Sequence, residues 1–570
     1  MALQEPTSAV DPKGESDGLL GQASNFGDEE DNSSEYSTDG EYATPPEVIL
    51  TSLTETGEDE STIPVLMQRS YMGNDAISSV LTDTLCADLG VNGVLKELNA
   101  ALGTSYNLDS VISILDPYIA QNVDFGTAYA YLRPYWYFIH INQPKLGTLE
   151  ENDEEMRDVP PRRVWDLLAN RVVPYWVADR VPLAISHAWV EEKDRVDVIT
   201  PINRCEWPVP MLKDASLDLI RIEMLNTVQT LQPHLRAWYV WLDVLCLRQE
   251  GGKNEHLRLE EWNLDVPTIG WVYEQALGRV VYYFNGLGQP LHLTPGYFES
   301  DRCWFQRAWT LQEMTMAPIT AGLTSKGVGD TQIQTRFLEQ LISSQRMPRL
   351  TSIPDYVSDM RNRVSTKPLD KVAGLVYPLY TDVIPIYDPK QSPEEAWEVL
   401  MDVMASSYYQ AQLFFLYPEP GDGKKRWRPS WRQVMSNRNV LSPFYWGDAI
   451  KRMEEPDTDC YTGYCIKSAN VRGLGEVPNE PTPRQGEIDV NNANGALRTI
   501  KIFADHMHPI PNGLYTLLGC DGRSFDPDRW VVGKMRQDGR FEKLSVFRSA
   551  DGELHIRFLR LHSEVKTFLC

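Results

Sequence analysis

The pattern of apolar and polar positions divides this chain into regions with different secondary structure. Between residues 70 and 150 apolar side chains recur at helical spacing, as in Val80, Leu81, Leu85 and Leu89. From 160 to 325 short apolar runs alternate with amphipathic stretches, and from about 460 short apolar runs are separated by Gly and Asp turns. Regular alternation of strand and helix is typical of a mostly parallel, doubly wound sheet.

We therefore predict an α/β domain at 160–325, with helical and β-rich regions on either side. The flanking regions are a helical N-terminal region at 66–155, a helical extension at 326–435 and a β-rich C-terminal domain at 436–570. Inside the α/β domain we expect strands at 181–185, 238–246, 279–284 and near 319–323, and helices through 217–231, 269–275 and 304–314. We also expect a helix at 393–407 and C-terminal strands at 515–518, 530–533, 544–547 and 555–561.

Charge and composition restrict the class of protein and its partners. The net charge is −26, and residues 1–65 carry sixteen acidic side chains and one lysine, which predicts a disordered acidic leader. Phosphates repel such a chain, so we expect neither nucleic acid nor an anionic membrane as its partner. We find no signal peptide, no apolar run long enough to span a membrane, and eight scattered cysteines, which predicts a cytoplasmic protein. No metal or cofactor is predicted, because neither His506 with His508 nor Cys460 with Cys465 has a matching second pair.

Asp243 is the one carboxylate in an apolar run from Tyr239 to Gln249. A buried charge is costly unless it is paired, so Asp243 needs a partner or a place at an open end of the sheet. Ligands bind beyond the carboxyl ends of strands in open α/β sheets, and Ser186 and His187 are expected at another such end. Neighbouring residues of a strand point to opposite faces, which disfavours a Ser-His-Asp triad and favours a His187–Asp243 pair.

A second set of candidates lies on the predicted helix at 304–314. Arg302, Gln306, Trp309 and Glu313 are spaced for one helical face, which suits either an aromatic or ribose-bearing ligand or a polar network at a domain boundary. The candidate catalytic residues are Glu313 and Asp243. The candidate ligand-binding residues are Ser186, His187, Arg302, Arg307 and Trp309.

Several spaced blocks resemble the fungal heterokaryon incompatibility (HET) domain, in the version found in mushroom-forming fungi. Three of them are similar to its signature blocks and two to elements that follow the domain: Ala184-Ile185-Ser186-His187-Ala188-Trp189, the run 240–249, Arg307-Ala308-Trp309-Thr310-Leu311-Gln312-Glu313, the run 363–375, and Arg428-Pro429-Ser430-Trp431. Ala188 and Val190 stand where the first block often has Cys and Gly, so a thiol nucleophile at that position is excluded for this chain.

The resemblance implies a role in non-self recognition between fungal cells that ends in programmed cell death. It also implies a parallel sheet similar to that of Toll/interleukin receptor (TIR) domains, which is a flavodoxin-like arrangement. Two hypotheses follow. The chain signals by self-association or by binding a protein partner, or it cleaves a nucleotide such as NAD. In the second, Glu313 would support the ribose, Trp309 would stack on a ring, and Arg302 or Arg307 would bind phosphate.

Overall fold

The computed structural model describes residues 45–138, 159–178, 180–189, 192–231, 238–275, 279–325, 329–345, 352–379, 381, 383–404, 407–436, 450–453, 458–477, 483–491, 496–519, 528–550 and 565–570. The predicted acidic leader up to residue 44 and the predicted strand at 555–561 lie outside these residues.

The N-terminal region combines helices with a short antiparallel strand pair, β1 and β2. Its elements are β1 Val48–Thr51, α1 Ser52–Thr56, β2 Ser70–Gly73, α2 Ser79–Asp83, α3 Cys86–Leu102, α4 Leu108–Ala120 and α5 Phe125–Leu132. Leu50 and Ile63 are 1% and 3% exposed, so the prediction of disorder is wrong for residues 48–65. Residues 48–65 contain few apolar side chains and many acidic ones. Burial of those apolar side chains in the neighbouring core stabilises the segment.

The α/β domain holds a six-stranded mixed sheet. Its elements are β3 Arg163–Asp166, β4 Arg171–Pro174, α6 Tyr175–Ala178, β5 Leu183–His187, β6 Arg195–Val198, β7 Val209–Leu212, α7 Leu217–Leu231, β8 Tyr239–Trp241, α8 Asp243–Cys246, α9 His256–Asp265, α10 Ile269–Gln275, β9 Arg279–Tyr283 and β10 Ala317–Thr320. The sheet order is β10-β9-β5-β8-β3-β4, and β6 pairs with β7 in a separate hairpin. The first four strands are parallel, whereas β3 and β4 run antiparallel to their neighbours. The α/β class is therefore confirmed, with a mixed rather than an all-parallel sheet.

Two predicted elements of the α/β domain are wrong. The strand predicted at 238–246 ends at Trp241 and turns into α8, where an Asp243 carboxylate oxygen accepts the Val244 N–H at 2.7 Å. The helix predicted at 304–314 is two 3₁₀ turns, Trp304–Gln306 and Trp309–Leu311. Between them Arg307 has extended backbone and forms a parallel bridge with Val364, a tertiary pairing that helical periodicity cannot reveal.

The helical extension continues the fold after β10. Its helices are α11 Thr331–Ser344, α12 Ile353–Asn362, α13 Asp370–Ala373, α14 Pro393–Asp402, α15 Ser407–Leu416 and α16 Trp431–Ser436. The single helix predicted at 393–407 ends at Asp402, and α15 begins at Ser407.

The C-terminal domain is β-rich, as predicted. Its strands are β11 Ile450–Arg452, β12 Asp459–Arg472, β13 Arg484–Asn491, β14 Leu497–Ala504, β15 Gly513–Gly519, β16 Arg529–Met535, β17 Phe541–Ser549 and β18 Val565–Leu569. Strands β13, β14, β17, β16 and β15 follow one another, and β12 pairs with both β13 and β15, so these six strands close into a ring. An apolar cluster that includes Val471, Leu517, Trp530 and Val532 fills this domain.

One continuous hydrophobic core joins the other regions. It runs from Leu50 in β1 through the α/β sheet and the helical extension to Phe541 and Leu569 in the C-terminal domain. Within the part of the chain that the structure describes, no helix is long and apolar enough to cross a bilayer.

Candidate functional site

The carboxyl end of β5 brings the first two HET-like blocks together. His187 pairs with Tyr283 of β9 in the sheet register, and β8 lies on the other side of β5. His187 Nε2 donates to Asp243 Oδ1 at 2.8 Å. The predicted pairing of His187 with Asp243 is therefore present, at the edge where ligands bind in open α/β sheets.

The surroundings of the His187–Asp243 pair favour its charged form. His187 Nδ1 lies 3.3 Å from the Ala188 carbonyl oxygen, so both ring nitrogens face acceptors. Burial alone would lower the pKa of His187, but the Asp243 charge and hydrogen bond raise it above its ordinary value. Burial alone would raise the pKa of Asp243, yet His187, the Val244 N–H and Arg307 together lower it. The His187 side chain is 6% exposed and that of Asp243 22%, so part of the carboxylate still reaches solvent.

The Ser186 side chain lies on the opposite face of β5 from that of His187, and it contacts the third HET-like block. Its Oγ donates to Glu313 Oε2 at 2.5 Å and accepts from Trp304 Nε1 at 2.7 Å. The Glu313 backbone carbonyl accepts the Tyr282 hydroxyl at 2.7 Å. Glu313 is thus fixed to β5 through its side chain and to β9 through its main chain.

Burial dominates the electrostatics of Glu313. The residue is 7% exposed, and desolvation raises the pKa of its carboxyl group against the opposing effects of Arg307 and Ser186. The negative charge of Asp243 also raises the pKa of Glu313, so the two candidate carboxylates are close enough to interact.

Arg307 adds a cation to this strand end. Its Nη1 donates to the His187 carbonyl at 2.8 Å, and its guanidinium carbon lies 5.4 Å from the centroid of the Trp189 ring. Burial lowers the pKa of Arg307, and Glu313 and Asp243 are the two largest influences that oppose this. This partly buried cation attracts both carboxylates and offsets part of their negative charge at this strand end.

Arg302 and Trp309 lie apart from this group. The half-exposed Arg302 pairs with Asp194 at 3.4 Å. The Trp309 ring packs 6.2 Å from that of Tyr387. The predicted shared face with Glu313 is wrong, because two 3₁₀ turns separated by an extended residue do not keep the helical angle between positions.

Several residues of the site were missed by the sequence reasoning. Trp304 donates to Ser186, Tyr282 donates to the Glu313 carbonyl, and Arg363 Nη1 donates to the Arg307 carbonyl at 2.7 Å. Arg363 begins the fourth HET-like block, so its place in that motif was an available signal. Gln312 is 9% exposed, and both polar atoms of its amide lack a hydrogen-bond partner among the described residues.

Two other features of the α/β domain have structural roles: the thiol of Cys246 and the turn at Gly286 and Gly288. Burial raises the pKa of the Cys246 thiol to about 12, which removes it as a nucleophile at neutral pH. Gly286 and Gly288 have φ of +112° and +73°, and the Gly288 carbonyl accepts the Gln68 side-chain amide at 3.1 Å. A Cβ at Gly288 would meet Ile220 at 3.0 Å, so this turn packs against α7 rather than opening towards a phosphate.

Comparison with known proteins does not identify a relative: no family model, no curated protein and no solved structure matches this chain. Among the described residues no three or more His, Cys, Asp and Glu side chains come together as a metal site would require.

Proposed function

We propose that this chain is a fungal non-self recognition protein of the HET class. Its α/β domain would trigger cell death by self-association or by binding a protein partner. The observation that carries the proposal is the convergence of blocks far apart in sequence: Ser186 contacts Glu313, His187 contacts Asp243, and Arg307 contacts His187. Residues that define a family motif are expected to meet in this way when they maintain one shared structural element.

The order of the parallel strands also supports the proposal. In chain order the parallel strands are β5, β8, β9 and β10. Across the sheet they lie in the order β8, β5, β9 and β10, so their chain positions read 2-1-3-4. This is the order that begins a flavodoxin-like sheet, the arrangement that a TIR-like domain would require.

The hydrogen bonds of the site favour signalling over catalysis. Asp243 is engaged by His187 and the Val244 N–H, and Glu313 by Ser186, from opposite faces of β5. A substrate would have to replace these buried bonds, and each replaced bond costs about 1–3 kcal/mol if its partner is left unsatisfied.

Nucleotide cleavage is the second candidate, and one observation favours it. The unsatisfied amide of Gln312 adjoins Glu313 in the chain, and Asp243 is partly exposed at the strand end. Buried polar groups without partners are uncommon, and a bound ligand is one source of the missing hydrogen bonds. In this reading Glu313 supports an oxocarbenium-like ribose and Arg307 binds a phosphate.

Inducible expression of the full chain in a fungal host tests the proposal. We expect growth arrest with the unsubstituted chain and with both Glu313→Gln and Asp243→Asn, together with crosslinked species larger than one chain. Cellular NAD should stay unchanged. Glu299→Gln is the matched control, since Glu299 is 62% exposed and pairs with Arg336 on the surface.

The variants are compared at equal amounts of soluble protein. If either site variant abolishes arrest while Glu299→Gln retains it, assembly alone is not the activity. A fall in NAD with the unsubstituted chain, absent with Glu313→Gln, would establish the enzyme instead.

A further inference from the structure

A cavity of about 380 Å³ lies between the helical extension and the C-terminal domain, away from the HET-like site. Its walls come from α14, the loop at 423–430, the turn between β16 and β17, and the end of β18. Six cationic side chains line it: Lys424, Lys425, Arg426, Arg428, Arg536 and Arg540. Four carboxylate side chains also line it, so the lining has a small excess of positive charge in a chain whose net charge is −26: Glu394, Glu398, Asp402 and Asp538.

The inner cations are neutralised by the protein itself. Asp402 pairs with Lys425 at 3.0 Å and with Arg428 at 2.9 Å, and Lys425 also reaches Asp459 at 2.9 Å. The side chains of Lys425 and Arg428 are 10% and 7% exposed, so this cluster forms a fixed, buried floor.

The outer cations are only partly neutralised. Glu542 is shared between Arg426 at 2.5 Å and Arg536 at 3.0 Å. Lys424 is 88% exposed and lies 3.9 Å from Glu398, too far for a hydrogen bond.

The hairpin between β16 and β17 holds two arginines opposite each other. The Arg536 N–H donates to the Arg540 carbonyl at 2.8 Å, so the two residues form a cross-strand pair and their side chains leave the same face. The turn is closed by Gly539 at φ +82° and by Asp538, whose carboxylate accepts the Arg540 N–H at 3.0 Å. Like charges directly opposite are unfavourable, and among the described residues Arg540 has no salt bridge to offset this.

We propose that this cavity binds a sugar phosphate, free or as part of a nucleotide. The phosphate lies between Arg536, Arg540 and Lys424, where planar guanidinium groups bind its oxygens in pairs and relieve the repulsion across the hairpin. The carboxylate of Glu398, on the α14 wall, accepts the sugar hydroxyls. The cavity volume is within the range of small-molecule sites. The site is outside the α/β domain and independent of the function proposed above.

Calorimetric titration of the full chain tests the site with three probes: inorganic phosphate, ribose 5-phosphate and AMP. We expect both organic phosphates to bind more tightly than inorganic phosphate, and Arg540→Gln to weaken their binding about tenfold or more. Arg540 makes no described salt bridge, so this substitution removes no ion pair from the folded protein. The matched control is Arg498→Gln, an exposed arginine on β14, which should leave binding unchanged.

A third variant should change the affinity for the probes in the opposite direction. Glu542→Gln frees Arg426 and Arg536 from their shared carboxylate and should tighten binding of all three probes. Preference of AMP over ribose 5-phosphate identifies the nucleotide as the source, and the reverse order identifies the free sugar phosphate. The proposal is overturned if no probe binds at about 10 mM, or if Arg540→Gln binds as well as Arg498→Gln.

Discussion

At the scale of single residues, His187 and Asp243 form the best-defined charged pair of the candidate site. The two groups shift in opposite directions, because the pKa of His187 is raised and that of Asp243 is lowered by their mutual attraction. A raised histidine pKa stabilises the fold below the unfolded value of 6.5, and this contribution is lost as pH rises through the folded value. A lowered aspartate pKa stabilises the fold above 3.8, and that contribution is lost as pH falls through the folded value.

The contribution of the pair is therefore largest at mildly acidic pH. We expect Asp243→Asn to lower the free energy of unfolding more at about pH 6 than at about pH 9, because the raised pKa of His187 is lost with the Asp243 charge. Urea denaturation of both proteins at the two pH values measures this. Asp197→Asn is the control, because Asp197 forms a half-exposed pair with Arg195 and its effect should not change over this range. A difference between the two proteins that stays the same between about pH 6 and about pH 9 would show that His187 is neutral in the folded protein at both pH values.

At the scale of elements, the close packing of helix α10 requires a glycine at position 270. A Cβ at Gly270 would lie 2.2 Å from a Tyr377 ring carbon, so α10 packs directly on a residue of the helical extension. Such a distance cannot be accommodated without moving the ring or the helix.

Gly270→Ala is therefore expected to lower the free energy of unfolding by about 1–2 kcal/mol. A contact this short falls in the upper part of the range for overpacking, at about 2–3 kcal/mol, and the better helix propensity of alanine offsets about 1 kcal/mol of it. Urea denaturation measures the change. Gly475→Ala serves as the control, since a Cβ there would meet nothing closer than 3.8 Å. An unchanged or increased stability for Gly270→Ala would mean that α10 does not pack on Tyr377 in this way.

The elements also show where periodicity succeeded and where it failed. The helix predicted at 269–275 matches α10 Ile269–Gln275, and the predicted helix through 217–231 matches α7. Both have long or regular apolar spacing, which is the strongest local signal. The predicted helix at 304–314 failed, because Arg307 pairs with Val364 and the backbone follows that tertiary contact instead of its local propensity.

At the scale of the whole molecule, the N-terminal region completes the α/β domain. The buried Arg221 of α7 donates to the Ile77 carbonyl at 2.7 Å, and Gln68 Nε2 donates to Glu223 Oε2 at 2.7 Å. Leu50 and Tyr71, each 1% exposed, belong to the same core as the sheet.

A chain of residues 78–570 should therefore lose cooperative unfolding and aggregate, whereas residues 45–570 should fold. Removal of residues 45–77 takes away the hydrogen bonds of Arg221 to Ile77 and of Glu223 to Gln68, and it exposes the apolar core that Leu50 and Tyr71 cover. The finer variant Gln68→Ala should cost about 2 kcal/mol in urea denaturation. Gln537→Ala, at an exposed position, is its control. Equal stability of the two truncated chains would show that the regions fold separately.

The sequence by itself determined most of the local elements and the residues of the His187–Asp243 pair. Apolar periodicity and turn residues act between near neighbours in the chain. Helices and strands can therefore be predicted from them without knowledge of the tertiary structure. A single carboxylate in an apolar run also indicates a paired group, because a buried charge without a partner is costly.

Only the tertiary structure decided which distant residues meet. Ser186 reaches Glu313 across 127 positions because β5 and β9 are neighbours in the sheet. The cationic cavity likewise joins α14 to the β16–β17 hairpin, over more than a hundred residues. Strand order and packing of the shared core set these contacts. No local pattern encodes them, because the free energy that selects them comes from burying surfaces of separate regions against one another.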